Sequence, residues 1–596
     1  MSRSVIGSVL LAAFVIIDNK STAVGEETSM ADISTLSSTN SVGWTGPLNR
    51  YARSDQQLSV WIFLLSMFLG WLLSCAYPEG FTNAETSYYL GLQRDFHWLA
   101  ANPLDWVRTI PCGAVLAVCT KFPRPTNAFY WVNTILFSIN IALIFVLGRS
   151  LNASRRASIA LALAALFLEV AAMRTFFANL QVAADPFFAE LTYLGMLLAL
   201  IGWMRSSQPI FLVAYAILGL AALTKTVGLS LLPLWICFAA LAWRRKTGSS
   251  LKRYGTILAS ITLLLGPIGL WSIRNCYVYG TPKTSASGGC SLLVTVLPLL
   301  TDNDEVFTDK KLNRAFIDSV RACEPDIRTL ANVQPASLRR ATIYETYFFR
   351  KAELSPPFNF LAQLNGCQSS NLTERIYFNS ACMFKIDADA LRLALSIIRA
   401  HPQAYLRRVA REYVDMFSPL ALPPQPGEDY AADPAVAYQS NSATGRESDL
   451  NFYPGRGRPS AEGSNKWAAE LLAALHTNPA LQWLLVQYYA WQFLLSHAIC
   501  ITALLCYGWL GLTRPNQANW KRLRQTAVVV AMLFLTVASN YMAVALLQVA
   551  RMRYAIAGGD LELHLMFLIV LWSGICFLFA EKGKSLSNQT TSTTEV

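Results

Sequence analysis

Apolar runs of about 17 residues or more recur along this chain, and a helical run of that length crosses roughly 30 Å of hydrocarbon. Ten stretches qualify when charges are kept few: 58–76, 127–148, 157–173, 187–204, 209–224, 226–243, 255–273, 487–512, 525–549 and 561–580. Inside a bilayer a helix satisfies its own backbone groups. The expected fold class is therefore an all-α polytopic membrane protein with about ten transmembrane helices and a large exterior loop region that contains helices. A water-soluble globule is excluded, since 54% of the 596 residues are hydrophobic and only 14% charged, against about 25% charged in soluble domains.

Lys and Arg concentrate in the short loops that stay cytoplasmic during insertion. Arg149, Arg155 and Arg156, then Arg205, then Arg244, Arg245, Lys246, Lys252 and Arg253, then Arg514, Lys521, Arg522 and Arg524, and finally Lys582 and Lys584 fall on one side of the ten spans. That alternation divides the chain. Residues 1–57 form a largely flexible cytoplasmic segment, 58–273 a membrane domain with its first exterior loop at 77–126, and 274–486 a large exterior (periplasmic or luminal) loop domain. Residues 487–580 hold the C-terminal transmembrane helices and 581–596 a cytoplasmic tail. Residues 4–17 have the length of a signal h-region, but a cleaved signal would put Arg50 and Arg53 on the wrong flank of the first good span. The formal charge of +12 is mostly topological. The loop 274–486 carries 22 Lys+Arg against 21 Asp+Glu, which leaves eleven of the excess positive charges elsewhere. Nucleic acid is not an expected partner; membrane lipids are.

Cys290, Cys323, Cys367 and Cys382 lie inside the exterior loop, where one or two disulfides can form with any of three connectivities. Asn371 heads an exterior N-x-[ST] triplet, and 418–466 is rich in Pro, Gly and Ser, as a mobile loop is. The stretch 388–417 reads as two amphipathic helices broken at His401-Pro402, serving either as a membrane-surface cover or as a packing layer. Glu169, within the third span, needs a buried partner, and a structural hydrogen bond to a neighbouring helix is expected. Metal-ligand spacings, P-loops, Gly-rich dinucleotide fingerprints and transporter-type internal repeats are not visible in the sequence.

Ionisable groups at span ends on one face are where chemistry is expected, because burying them is costly without a partner or substrate. The first exterior loop carries Glu85, Tyr88 and Tyr89; Asp185 opens span four; Lys225 separates spans five and six; Arg274 and Asn275 end span seven; Arg551 and Arg553 follow span nine. Two carboxylates in a ring of cations suit an anionic substrate whose apolar tail stays in the bilayer. Structural readings stand beside these: Asp185 before Pro186 as an N-cap, Lys225 snorkelling to the interface, and the two late arginines anchoring headgroups.

At these residues the chain resembles the GT-C superfamily of membrane glycosyltransferases, in the branch of protein mannosyltransferases and lipid A aminoarabinose transferases, over about residues 58–580. The likeness rests on Glu85 before Tyr88 and Tyr89, with Pro111 following in TIPCGA, and on Asp185 in AADPFFAEL. It continues through Lys225 and Gly228 in LTKTVGL, then Arg274, Asn275 and Gly280 in IRNCYVYGTP with Gly288 and Gly289 after, and lastly Arg551, Arg553 and Tyr554. Where many members have Asp-Glu, this chain has Ala84-Glu85. If the family's base aligns with Ala84, Glu85 must substitute for it, or the chain is silent as a transferase.

The resemblance implies transfer of a sugar from a polyprenyl-phosphate-linked donor to a lipid, glycan or protein acceptor on the exterior face. Glu85 is the expected general base, with Asp185 orienting the acceptor or sharing that role. Lys225, Arg274, Asn275, Arg551 and Arg553 are expected to bind donor phosphate, and Tyr88 and Tyr89 to line the sugar pocket. No cofactor is expected beyond the lipid-linked donor and the mechanism is read as metal-independent, although a divalent ion is needed by some relatives outside this branch. Ala/Leu-rich spans point to a bacterial inner membrane with the site facing the periplasm. The alternatives are a transporter or flippase of lipid-linked intermediates, and a catalytically silent scaffold of the same fold.

Overall fold

The computed structural model describes residues 45–76, 110–122, 125–172, 184–244, 249–333, 346–347, 349–350, 353–367, 380–417, 479–513, 518–547, 559 and 561–574. It is overwhelmingly helical. The membrane-type helices are α1 (Thr45–Ala76), α2 (Ile110–Cys119), α3 (Pro125–Ser150), α4 (Arg155–Ala172), α5 (Ala184–Met204) and α6 (Gln208–Thr224). A 3-10 turn (Thr226–Leu231) then leads into α7 (Leu232–Arg244) and α8 (Ser250–Tyr279). The intervening domain holds α9 (Gly288–Val296), α10 (Lys310–Arg321), α11 (Glu324–Val333), α12 (Pro356–Leu364), α13 (Ser380–Ala400) and α14 (Pro402–Phe417). Between α11 and α12 an antiparallel ladder pairs β1 (Phe349–Arg350) with β2 (Glu353–Leu354). The chain returns through α15 (Pro479–Thr513), α16 (Ala518–Leu547) and α17 (Leu561–Gly574).

Every predicted span overlaps one of these helices. Among the described residues, six helical segments are long and apolar enough to cross a membrane: Ser54–Cys75, Asn127–Ser150, Ala184–Met204, Val227–Arg244, Ser250–Tyr279 and Leu523–Leu547. Shorter apolar segments cover Gln208–Thr224, Ala490–Cys506 and Leu561–Gly574. α2 was not among the predicted spans, yet it packs against α3 and α6 with Cys112, Leu116 and Cys119 buried. Ten residues are too few for the span criterion, so an apolar helix this short is missed by length alone.

Glycines set the closest helix approaches, as small residues do where water supplies no driving force between helices. A Cβ on Gly195 would lie 2.7 Å from Leu218 Cγ, and one on Gly202 would lie 2.8 Å from the Phe211 nitrogen, so the α5–α6 hairpin closes on bare backbone. Gly219 meets the Leu264 carbonyl in the same way, seating α6 on α8. Side-chain hydrogen bonds add to this packing. Tyr215 donates to the Trp235 carbonyl at 2.7 Å, and Asn140 donates to the Glu190 carboxylate at 2.7 Å. The expected partner of Glu169 is His564, whose Nδ1 is 2.6 Å from Oε1, joining α4 to α17 with both groups buried.

Arg149, Arg155 and Arg205, described members of the basic clusters, gather at one end of the bundle. Arg149 bonds Asp55 at 2.9 Å, Arg155 donates to the Ser54 carbonyl at 2.8 Å, Arg205 donates to Ser150 Oγ at 3.0 Å, and Arg253 donates to the Arg244 carbonyl at 3.2 Å. At the other end stands a second hydrophobic core, built from α9, α10, α12, α13 and α14 around Leu293, Phe316, Phe358, Met383 and Ile397. Helix α14 anchors it. Tyr405 donates to the Leu546 carbonyl at 2.9 Å, and Arg408 donates to those of Ala545 and Leu546 at 2.7 and 3.1 Å, capping the orphan acceptors at the end of α16.

The predicted break at His401-Pro402 separates α13 from α14, and both helices bury apolar residues in the second core. Their amphipathic pattern thus reports a packing layer. Of the four loop cysteines, Cys367 and Cys382 form a disulfide, while Cys290 and Cys323 are buried and not part of it. Asn371 and the segment 418–466 lie outside the described residues.

Candidate active site

Asp185 and Lys225, forty residues apart in sequence, meet as a buried ion pair. Asp185 sits within the first turn of α5, where a carboxylate is favoured by the helix dipole. Its side chain is 7% exposed and that of Lys225 is 12% exposed, so the lysine does not snorkel into solvent and the aspartate has a partner other than its own helix N-terminus.

The local sequence explains how Lys225 reaches inward. α6 ends at Thr224, Lys225 takes an extended conformation (φ −142°, ψ 132°), and a 3-10 turn follows in which the Gly228 N–H bonds the Lys225 carbonyl at 2.8 Å. Gly228 makes the turn possible. A Cβ there would stand 2.8 Å from both Ala222 Cα and Phe188 Cε2, and Phe188 belongs to the same helix as Asp185. The spacing K-x-x-G therefore lets the turn press on α5 while the lysine crosses to the carboxylate. The 3-10 turn also packs against α16, with Ser230 Oγ 3.3 Å from the Ser539 carbonyl.

Arg274 and Asn275 form a second unit on the last turns of α8, and both are buried. The Arg274 guanidinium donates to Asn275 Oδ1 at 2.9 Å and lies 4.6 Å from the Trp271 ring centroid and 5.6 Å from that of Tyr279. Asn275 Nδ2 donates to the Lys283 carbonyl at 2.8 Å, and Trp271 Nε1 donates to that of Thr284 at 2.9 Å. Gly280, left-handed at φ 69°, ends the helix and turns the chain back so that these contacts form.

Both units stand at one end of the bundle. α6 and α8 run in the same direction, separated by α7, and cross where Gly219 meets Leu264. Lys225 is six residues beyond that crossing and Arg274 ten beyond it, roughly 9 and 15 Å along their axes. α5 starts at the same level, being the antiparallel neighbour of α6. The second core covers this end, opposite the basic clusters.

The segment after Arg274 is tied to α13. Lys283 Nζ is 2.9 Å from Asp387 Oδ2, and Asp387 Oδ1 accepts the Cys290 N–H at 3.0 Å. Gly289 sits so close to this helix that a Cβ would fall 2.1 Å from the Asp387 carbonyl oxygen. Burial above all, with the adjacent Asp387 carboxylate, pushes the Cys290 thiol well above its ordinary range. It is a packed thiol rather than a nucleophile.

Of the predicted site residues, the structure thus pairs Asp185 with Lys225 and Arg274 with Asn275, all at one end. Glu85, Tyr88, Tyr89, Arg551 and Arg553 lie outside the described residues. Sequence reasoning missed Asp387 and Lys283. Asp387 falls one residue before the amphipathic stretch 388–417, and only its burial singles it out. Comparison of the chain with protein-family models, with curated proteins and with solved structures gave no match, so the functional reading rests on the residues themselves.

Proposed function

We propose that this protein is a ten-span membrane glycosyltransferase of GT-C type that moves a sugar from a polyprenyl-phosphate donor to a lipid, glycan or protein acceptor on the exterior, periplasmic face. The observation that carries the reading is the buried Asp185–Lys225 pair, set at the same bundle end as Arg274 and Asn275. A buried ion pair is costly to desolvate and is retained at span ends where it serves a substrate more readily than for stability alone. The Cys367–Cys382 disulfide supports an oxidising compartment for the covering domain, and hence this sidedness.

The chemistry follows from the residue types. Glu85 takes the acceptor proton as the acceptor oxygen attacks the anomeric carbon. The bond from that carbon to the phosphate oxygen breaks, and the lipid phosphate leaves with the electron pair. Lys225, Arg274 and the late Arg551 and Arg553 stabilise the charge it gains. Asp185 keeps Oδ1 on Lys225 and offers its second oxygen to orient the acceptor. One displacement inverts the anomeric centre, as the resemblance implies.

The purified full chain in vesicles, supplied with labelled polyprenyl-phosphate sugars, tests this. Glu85→Gln and Asp185→Asn are expected to abolish transfer at unchanged expression, and undiminished turnover in both variants would overturn the assignment. A flippase would move labelled carrier between leaflets without product, and a silent scaffold would do neither. Mass spectrometry of lipids, glycans and glycoproteins from cells lacking the gene identifies donor sugar and acceptor.

A further inference from the structure

We propose that Lys283 is a further phosphate-binding group of this site and that Asp387 is its positioning residue, a proposal that rests on the reading of the site as one for a polyprenyl-phosphate donor. Three observations carry it. Lys283 is joined to the Arg274–Asn275 unit through its own backbone, since its carbonyl accepts the Asn275 amide at 2.8 Å while Asn275 accepts from Arg274. Its side chain is 34% exposed where that of Asp387 is 4% exposed, so the ion pair has a wet end and a dry end. The dry end is fully engaged, with one Asp387 oxygen on Lys283 and the other on the Cys290 N–H.

An ammonium has three N–H donors. Asp387 uses one of them, which fixes the direction of Nζ and leaves donors on the exposed side for a phosphate oxygen. Asp387 itself has little freedom to move, because Gly289 lies directly against its backbone carbonyl. The buried carboxylate thus acts as a rigid stop behind a flexible four-carbon stem, lowering the entropy lost when the lysine is fixed on a ligand. Asp387 does not touch the donor; it acts through Lys283.

The probe is a short-chain prenyl phosphate, with the matching prenol as control, titrated against the detergent-solubilised full chain by calorimetry. One charge-assisted contact is worth about tenfold in affinity. Lys283→Gln is therefore expected to weaken prenyl phosphate binding about tenfold and leave prenol binding unchanged. In turnover the same variant raises donor KM about tenfold with kcat held, and Lys283→Arg recovers part of the loss. Asp387→Asn weakens binding less, and Lys283→Gln with Asp387→Asn together is no weaker than Lys283→Gln alone.

Prenyl phosphate affinity within twofold of wild type in Lys283→Gln, equal losses for prenol, or additive losses in the double variant would each overturn the proposal. Lys283 is partly exposed, so its variant tests the idea even where Asp387→Asn folds poorly. If the wild type binds prenyl phosphate but transfers no sugar, the transferase reading fails while the lysine's role is still decided by the binding arm.

Discussion

Removing one partner from the Asp185–Lys225 pair separates a working ion pair from a tolerated one. Both side chains are almost fully buried, so Lys225→Met leaves the buried Asp185 carboxylate without its ion-pair partner. The cost expected for such an orphaned charge is about 3 to 5 kcal/mol. Asp185→Asn is milder, because a lysine stem reaches toward the interface when released, and about 1 to 2 kcal/mol is expected. The double variant Asp185→Asn with Lys225→Met buries two neutral groups of similar volume and is expected to lose only about 1 to 2 kcal/mol, a coupling of about 4 kcal/mol. Reversible unfolding in mixed detergent micelles measures all four proteins. Sugar transfer, measured alongside, is expected to be lost in all three variants, so stability returns in the double variant and activity does not. A Lys225→Met protein within about 1 kcal/mol of wild type, or a double variant at the sum of the singles, would refute the claim that the pair is buried and coupled.

The same unfolding assay reaches other sites. Gly228→Ala pushes a methyl group into Ala222 and Phe188 and is expected to cost about 1 to 3 kcal/mol, with transfer reduced because Lys225 is displaced. His564→Ala strands buried Glu169 and is expected to cost about 3 to 5 kcal/mol, whereas Glu169→Gln keeps a hydrogen bond to the ring and costs about 1 kcal/mol. Burial alone would raise the Asp304 carboxyl, but the Thr301 N–H and His401 outweigh it and hold its pKa below the ordinary value. The stability this contributes is full above the ordinary carboxylate range and fades as pH falls through the lowered value. In an acid titration followed by tryptophan fluorescence, His401→Asn is expected to move the loss to higher pH. Cys367→Ser with Cys382→Ser opens a loop of 15 residues' separation and is expected to cost about 3 kcal/mol on a chain-entropy account, with non-reducing peptide mapping to show the bond in the wild type.

The helices were legible wherever one physical term dominates. Apolar length alone located α3, α5, α8 and α16, because a long run without charge has few other places to go. It located 226–243 as well, where Val227–Arg244 is long and apolar enough to span although its first residues form a 3-10 turn. Hydropathy there is high enough for a span, but the turn is set by Gly228 packing on Phe188, a contact between residues forty apart. It passed over α2, whose ten residues are short for a span but well packed against α3 and α6.

The candidate site was legible as residue types and not as pairs. Glu169 had to find a partner, yet that the partner is His564, 395 residues later, depends on α17 docking against α4. Asp387 carried no signal at all, since one carboxylate on an amphipathic helix is ordinary until the fold buries it. By itself the sequence determined what is paid residue by residue: which stretches prefer lipid and which loops carry the positive charge. Only the tertiary structure decided which buried charges neutralise one another, because the cost of desolvating an ion is local while the partner that offsets it comes from whichever helix packing brings within 3 Å.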